Sequence, residues 1–246
     1  MPKLYYTQTE HKIANILSIV SIILCIAIIA LSIYGAINRA LNPPPHNYYY
    51  SPLHSADDVN GNFDLAPGEI IKFGRYEQDN NVKNGPEDIK WIVLKIQDNK
   101  ALVTSKYALD YVDYGQQRWY NSYIRSWLNE EFMSSAFYDD EKAIIAPTSI
   151  YTEYPNYSQE SKDKIFLLSI DEINEYFSDE RPIHCEATKY AQYKGVATAA
   201  ESKTPLCNLW LRTKNDNDSR VLISESNIGY SDSKNAGVRP AMWIYF

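Results

Sequence analysis

The chain has 246 residues, of which 45% are hydrophobic and 22% are charged, and its formal net charge is −7. These fractions are typical of a folded protein, and a chain of this length usually holds one or two domains. The negative charge and the lack of a basic stripe argue against nucleic-acid binding, because that affinity comes largely from lysine and arginine side chains that neutralise phosphates.

An uncharged apolar segment lies near the N-terminus, at residues 13–37, between Lys12 and Arg39. About 20 apolar residues cross the hydrocarbon core of a bilayer as a helix, so this segment predicts a transmembrane helix. A cleaved signal peptide is the alternative, but its apolar region is shorter, roughly 7–15 residues. More positive charge precedes the segment than follows it, which predicts a cytoplasmic stub at residues 1–12 and a domain outside the cell.

A segment without helical or strand periodicity follows, at residues 38–66. It contains Pro43-Pro44-Pro45, which favours a stiff extended chain. We therefore predict a Pro/Tyr-rich linker here. The remaining residues, 67–246, are predicted to form one globular domain.

Short apolar runs and helical spacings define the predicted elements of the domain. Strands are predicted at residues 70–73, 91–96, 101–104, 165–168, 209–211, 221–223 and 242–244. Helices are predicted at residues 123–132, 139–145, 171–177 and 188–193, the first capped by Asn121 or Ser122 and the third by Ser169. Because strands lie at both ends and helices in the middle, the pattern predicts an α+β fold rather than a repeating βαβ chain.

Several short sequence blocks occur in order along the domain. They are Phe73-Gly74-Arg75-Tyr76, Trp91-Ile92-Val93-Leu94, Ser105-Lys106-Tyr107-Ala108-Leu109-Asp110, Ile124-Arg125-Ser126-Trp127-Leu128-Asn129, Phe166-Leu167-Leu168-Ser169, Leu209-Trp210-Leu211-Arg212 and Gly237-Val238-Arg239-Pro240-Ala241. As a set they resemble the bacterial domain-of-unknown-function family 6273, over nearly all of residues 67–246. That family is similar to the C-type-lectin-like fold of formylglycine-generating enzymes. The resemblance implies paired terminal strands and irregular ligand-facing loops, and it brings no established activity.

Three arginines, Arg125, Arg212 and Arg239, each lie among large apolar residues. A guanidinium in such a setting must be paired, because an isolated buried charge is costly. An anion site is one interpretation. A structural fork bonded to an acid or to backbone carbonyls is the other, and the five donors of arginine favour it.

Two cysteines, Cys185 and Cys207, lie in the domain, whereas Cys25 lies in the apolar segment. A disulfide is expected if the domain is outside the cell, and two free thiols are the alternative. A reactive pair, as in formylglycine-generating enzymes, is less favoured, because no cationic neighbour that would lower a thiol pKa is evident. No zinc-ligand spacing is present, so no metal centre is predicted.

Two polar stretches are candidate ligand-facing loops. One, at residues 215–219, is rich in side-chain oxygens, which calcium prefers, although it lacks a closing glutamate and a solvated turn is the favoured alternative. The other, at residues 224–236, mixes tyrosine, asparagine and serine as adaptable binding loops do. The candidate residues are Asn215, Asp216, Asn217, Asp218, Asn227, Tyr230 and Asp232.

No catalytic motif is present, and His184 is the single histidine of the domain. There is no nucleophile elbow, phosphate-binding loop or metalloprotease motif. We therefore expect a single-pass membrane protein whose outer domain binds a glycan or a protein, without a cofactor other than possible calcium. A divergent formylglycine-generating-type thiol enzyme and a structural envelope protein remain the alternatives.

Overall fold

The computed structural model describes residues 65–115, 118–154, 157–177, 183–199, 203–214, 220–224, 227–231 and 235–246, all within one compact unit. The predicted stub and transmembrane helix, and the linker up to residue 64, lie outside the described residues. Within the described ranges, no helix is long and apolar enough to cross a bilayer.

The larger sheet begins with an antiparallel meander. Its strands are β1 (Ile70–Tyr76), β2 (Glu87–Gln97) and β3 (Lys100–Ser105). The predicted Asp98-Asn99 turn joins β2 to β3, and Asp98 has a φ of 54°, which a short polar residue tolerates in a tight turn. The hairpin expected from the sequence is therefore confirmed.

A strand from the far end of the domain completes this sheet. β13 (Ala241–Tyr245) runs antiparallel to β3, from the pair Ala241 and Thr104 to the pair Tyr245 and Lys100. Its other edge pairs with β5 (Ile145–Ala146) and β8 (Ile165–Phe166). β13 is therefore an interior strand, and its burial explains its apolar sequence.

The first and last strands of the sheet do not pair with each other, so the expectation of paired terminal strands is wrong. β2 has β1 on one side and β3 on the other, and β3 offers its free edge to β13. The short β2–β3 connection makes these two strands neighbours, as is usual for antiparallel hairpins. The hairpin is thereby inserted between the two terminal strands.

Two further sheets complete the domain. The second sheet has the order β11-β10-β9-β12-β4, and the third is a hairpin of β6 and β7. Their strands are β4 (Asp110–Tyr111), β6 (Thr148–Tyr154), β7 (Tyr157–Asp163), β9 (Leu209–Lys214), β10 (Arg220–Ser224), β11 (Asn227–Ser231) and β12 (Gly237–Val238). Among the named strands of the described residues, the pairing of β12 with β9 is parallel and the others are antiparallel.

The helices are short, and two of them begin at the predicted caps. They are a 3-10 turn (Trp119–Asn121), α1 (Tyr123–Trp127), a π-helical turn (Leu128–Phe132), α2 (Met133–Ala136), α3 (Asp139–Ile144), α4 (Ile170–Tyr176) and α5 (Lys189–Lys194). Ser122 caps α1, and Ser169 with Glu172 forms a capping box for α4. The predicted mixture of helices and strands is confirmed, with strands in the majority.

The main core lies between the helices and the larger sheet. Its largest fully buried side chains include Trp91, Trp119, Trp210 and Phe132. The Trp91 indole N–H donates to the carbonyl of Phe73 at 2.6 Å, so this ring is buried without an unpaired donor. These core contacts hold together the strands and helices that carry the site residues.

Candidate site at the β4–β12 junction

Three segments that are distant in the sequence meet where β4 pairs with β12. The Leu109 amide donates to the carbonyl of Val238 at 2.9 Å, and Asp110 is the register partner of Val238. On the other side, the Ala108 amide donates to the carbonyl of Glu186 at 2.9 Å. We call this place the β4–β12 junction. Two of the resemblance blocks, at residues 105–110 and 237–241, belong to it.

The two cysteines face each other at this junction. The Cys207 amide donates to the carbonyl of Cys185 at 3.0 Å, and the neighbouring residues Glu186 and Leu206 form an antiparallel bridge. Cys185 and Cys207 are therefore directly opposed, with their side chains on one face. Both are free thiols, Cys185 buried and Cys207 partly exposed. The predicted disulfide stays a prediction, and its two residues are adjacent.

Small apolar residues surround the thiols. This second core cluster contains Ala108, Cys185, Ala187, Ala191, Val196 and Leu209, with Tyr111 and Cys207 packed against it. A Cβ at Gly237 would lie 2.6 Å from the Cβ of Ala108 and 3.3 Å from Sγ of Cys207. Only glycine fits there, because a Cβ would overlap that of Ala108.

Arg239 is the cation of the junction, with 4% of its surface exposed. Its Nε donates to the carbonyl of Ser105 at 2.8 Å, and a terminal nitrogen donates to that of Ile183 at 3.4 Å. The guanidinium also lies 5.2 Å from the ring centre of Phe177. No carboxylate pairs with Arg239 among the residues that the structure describes.

This cation corrects the sequence interpretation of the thiols, which found no cationic neighbour. Burial opposes ionisation of Cys185, but the hydrogen bond with Cys207 and the charge of Arg239 outweigh it and lower the pKa of Cys185. The hydrogen bond to Cys185 and burial raise the pKa of Cys207. When the pair loses one proton, the negative charge is therefore favoured on Cys185.

A second buried polar pair lies on the other side of β4. The hydroxyl of Tyr76 donates to Oδ2 of Asp110, and the amide of Tyr111 donates to Oδ1 at 2.6 Å. Nζ of Lys194, on α5, is 4.0 Å from the same carboxylate. Burial raises the pKa of Asp110 although these partners oppose it, and burial with the Asp110 charge raises the pKa of Tyr76. No sequence signal pointed to this pair.

Arg212 holds two elements together. A terminal nitrogen of its guanidinium donates to Glu172 on α4 and to the carbonyl of Leu167 at 2.8 Å. Its buried Nε has no hydrogen-bond partner within the described ranges. These contacts, to an acid and to a backbone carbonyl, are those of a structural fork.

The third arginine, Arg125, contributes to an exposed surface. Its Nε donates to Asp163 at 2.7 Å, and a terminal nitrogen donates to the carbonyl of Tyr120 at 2.6 Å. The guanidinium lies 5.4 Å from the ring centre of Tyr120. Tyr120 is 44% exposed and Tyr123 is 52% exposed. We call Tyr120, Tyr123 and Arg125 the aromatic–arginine surface.

Of the residues predicted to lie in ligand-facing loops, two lie on a strand and the others lie outside the described residues. Asn227 and Tyr230 lie on β11, which pairs with β10, so the polar stretch from residue 224 continues as a strand and not as a loop. The other candidates, Asn215, Asp216, Asn217, Asp218 and Asp232, lie outside the described residues.

An acidic cluster elsewhere, of Glu77, Asp79 and Glu87, has carboxylate oxygens within 4.8 Å of one another. Those oxygens already accept backbone hydrogen bonds of their own turn, from Gln78 at 2.7 Å and from Asn81 at 2.8 Å. The turn geometry therefore accounts for the closeness of these acids.

Comparison with known proteins identifies the family. Residues 98–246 match the family described as "Domain of unknown function (DUF6273)", from the β2–β3 turn to the end of β13. No curated protein and no solved structure matches the chain. The match covers both thiols, Arg239 and the aromatic–arginine surface, and the chain belongs to the DUF6273 family.

Proposed function

We propose that this protein is a single-pass membrane protein of a bacterial envelope, whose outer domain binds a glycan or a protein through the aromatic–arginine surface. The proposal includes a C-type-lectin-like origin for the domain, which the family likeness and the mixed antiparallel architecture support. The observation that carries the binding role is the exposed ring of Tyr120 against the guanidinium of Arg125, with the exposed Tyr123 on the same helical segment. Tyrosine and arginine are the residues that most often dominate binding energy.

The arginine of this surface is held in place before any ligand arrives. Asp163 is 2% exposed and holds the guanidinium of Arg125, while the indole N–H of Trp119 donates to the same carboxylate at 3.1 Å. Tyrosine has only two side-chain torsions, so ordering it on binding costs little entropy. A preformed surface of this kind suits sugar rings or an extended peptide.

The reactive groups of the junction support binding over catalysis. Asp110 and Cys185 are each 2% exposed, so a dissolved substrate does not reach them in this conformation. Tyr120 and Tyr123 are open to solvent instead. A ligand therefore meets the aromatic–arginine surface first.

An array experiment tests this role. The full-length chain in detergent is applied to a glycan array and to a peptide array, and each reproducible hit is measured again by titration. The double substitution of Tyr120→Ser and Tyr123→Ser is expected to weaken binding by about tenfold or more, the effect of losing a hot spot. Tyr193→Ser is the matched control, because Tyr193 on α5 is 74% exposed.

Two results would count against the binding role. One is the absence of any reproducible hit on either array. The other is equal binding by the double variant and by the Tyr193→Ser control, which would move the contact away from the aromatic–arginine surface.

A formylglycine-generating-type thiol enzyme is the second candidate, because Cys185 and Cys207 are adjacent and free beside Arg239. An enzyme of this kind is expected to convert a cysteine-containing peptide, and Cys185→Ser is expected to abolish the conversion while the circular dichroism spectrum is kept. Unchanged peptide mass after incubation with the unmodified protein would eliminate this candidate.

A further inference from the structure

The opposition of Cys185 and Cys207 has the backbone geometry of a cross-strand disulfide. The Cys207 amide donates to the Cys185 carbonyl beside the Glu186–Leu206 bridge, so the two cysteines are opposed across antiparallel backbone, where facing Cα atoms are about 4.5–5.5 Å apart. Disulfides span Cα separations of about 4.4–6.8 Å, so the two cysteines lie within bridging range. Sγ of Cys207 already lies 3.5 Å from the carbonyl oxygen of Cys185.

The two sulfurs differ in access. Cys185 is 2% exposed and lies under the alanines of the second core cluster, whereas Cys207 is partly exposed. An incoming reagent therefore meets Cys207 first. Cys185 is placed to react only with a group that is already attached to Cys207.

We propose that Cys185 and Cys207 form a thiol–disulfide exchange site, at which Cys207 attacks a low-molecular-weight disulfide and Cys185 resolves the product into an intramolecular bridge. This role goes beyond ligand binding and needs no ligand on the aromatic–arginine surface. Arg239 is its positioning residue, because its charge favours the thiolate form of the buried partner.

The exchange balances in two steps. In the first, the thiolate of Cys185 takes the proton of Cys207, and the Cys207 thiolate so formed attacks one sulfur of the reagent and releases one thiolate of the reagent. In the second, Cys185 attacks the sulfur of Cys207, the mixed disulfide breaks, and the proton leaves with the second thiol of the reagent. The protein pair loses two electrons, and the reagent disulfide gains them and becomes two thiols.

A redox titration of the unmodified pair tests the bridge. The full-length chain, with Cys25→Ser to remove the third thiol, is equilibrated in detergent with buffers of reduced and oxidised glutathione. Free thiols are then alkylated with N-ethylmaleimide in denaturant and counted by intact mass. We expect two adducts in the most reducing buffer and none in the most oxidising one, with a peptide pair that links Cys185 to Cys207.

Two single substitutions test the order of attack. Cys185→Ser is expected to retain glutathione as a stable adduct on Cys207, because the resolving thiol is gone. Cys207→Ser is expected to react with oxidised glutathione at least about tenfold more slowly than Cys185→Ser, because its remaining thiol is buried. Circular dichroism checks that each variant is folded.

Three outcomes would overturn the proposal. These are two alkylated thiols throughout the glutathione series, glutathione adducts on both cysteines in place of a bridge, and equal reaction rates for the two folded variants. The first two use the native pair, so they decide the question even if neither substituted chain folds. None of them depends on the arrays, so the binding role is tested separately.

Discussion

Arg125 on α1 and Asp163 at the end of β7 join the helix to the β6–β7 hairpin, with 2.7 Å between Nε and Oδ1. The same carboxylate accepts hydrogen bonds from the hydroxyl of Ser161 at 2.7 Å and from the indole of Trp119. Three donors therefore satisfy this buried carboxylate. Its position under the aromatic–arginine surface links the stability of the hairpin to the shape of that surface.

Replacement of this carboxylate is expected to be costly. Asp163→Asn replaces one carboxylate oxygen by an NH2 group, which faces donors instead of accepting from them. It also leaves the guanidinium of Arg125 without its acid. We therefore expect the free energy of unfolding to fall by about 3–5 kcal/mol. Urea denaturation measures it. Asp139→Asn is the control, because the Asp139 side chain is 99% exposed and its loss is expected to change stability by less than about 1 kcal/mol. Equal effects of the two changes would contradict this account.

The ion pair of Arg212 and Glu172 is expected to contribute more to the free energy of unfolding than a solvent-exposed ion pair. Their side chains are 8% and 21% exposed, and Glu172 also accepts the amide of Ser169 at 2.9 Å. Glu172→Gln keeps an oxygen for that amide but leaves the guanidinium unpaired. We expect a loss of about 2–4 kcal/mol in urea denaturation.

The matched control for this pair is Glu175→Gln. Glu175 bonds Lys95 at 3.0 Å, but the two side chains are 53% and 41% exposed. Solvent screens such a pair, so the expected loss is below about 1 kcal/mol. A loss as large as that of Glu172→Gln would show that exposure does not separate the two ion pairs.

Substitution of Gly74 is expected to destabilise the protein, because neighbouring atoms occupy the space that a side chain would need. It has a φ of +68°, and an added Cβ would lie 2.5 Å from the ring of Phe137 and 2.8 Å from the carbonyl oxygen of Ala136. Gly74→Ala is therefore expected to lower the unfolding free energy by about 3 kcal/mol, from overpacking and backbone strain together. Thermal unfolding followed by circular dichroism measures the loss.

Gly85→Ala separates the two causes. Gly85 has a similar φ of +79°, but nothing lies within 4 Å of the added Cβ. Only the backbone strain remains, and the expected loss is about 1 kcal/mol. If Gly74→Ala lowers the unfolding free energy no more than Gly85→Ala does, the contact with Phe137 does not add to the destabilisation.

Asp110 is expected to make stability depend on pH. Its pKa is raised in the folded protein by burial, so its contribution to stability is complete below the unfolded pKa of about 3.9 and is lost as the pH rises through the folded pKa. Across that window the unfolded chain releases the proton and the folded chain keeps it. Urea denaturation at a series of pH values is expected to show this fall in the unmodified protein and not in Asp110→Asn.

Tyr76→Phe provides a second measurement of the same pair. The hydroxyl of Tyr76 stabilises the carboxylate of Asp110, so its removal raises the folded pKa of Asp110 further. The fall in stability is then expected to continue to higher pH than in the unmodified protein. Parallel stability profiles for the unmodified protein and both variants would contradict this assignment.

Much of the fold is predictable because burial on one face leaves a trace in the sequence. The strands at residues 70–73, 91–96 and 101–104 were found from their apolar runs, and Ser122 and Ser169 marked helix starts. The β6–β7 hairpin was missed, since the side chains described as buried along it are Thr152, Ser161 and Asp163 beside Ile150. A polar inner face stabilised by hydrogen bonds has no apolar alternation to detect.

The candidate site is less predictable, because it depends on register between short segments. Cys185 and Cys207 are 22 positions apart and meet through isolated bridges, which have no periodic signal. Arg239 was expected to be a structural arginine, but its closeness to the thiols depends on how β12 lies against β4. Neighbours set by such tertiary pairing cannot be read from local composition.

The interior position of β13 has a consequence during synthesis. The ribosome releases β1, β2 and β3 first, and the outer edge of β3 then has unpaired amides and carbonyls until residues 241–245 emerge. Nascent chains stalled before residue 241 are therefore expected to bind chaperones and to be cleaved by added protease, and released full-length chains are expected to resist both. The free edge of β3 is therefore paired only after β13 has been synthesised.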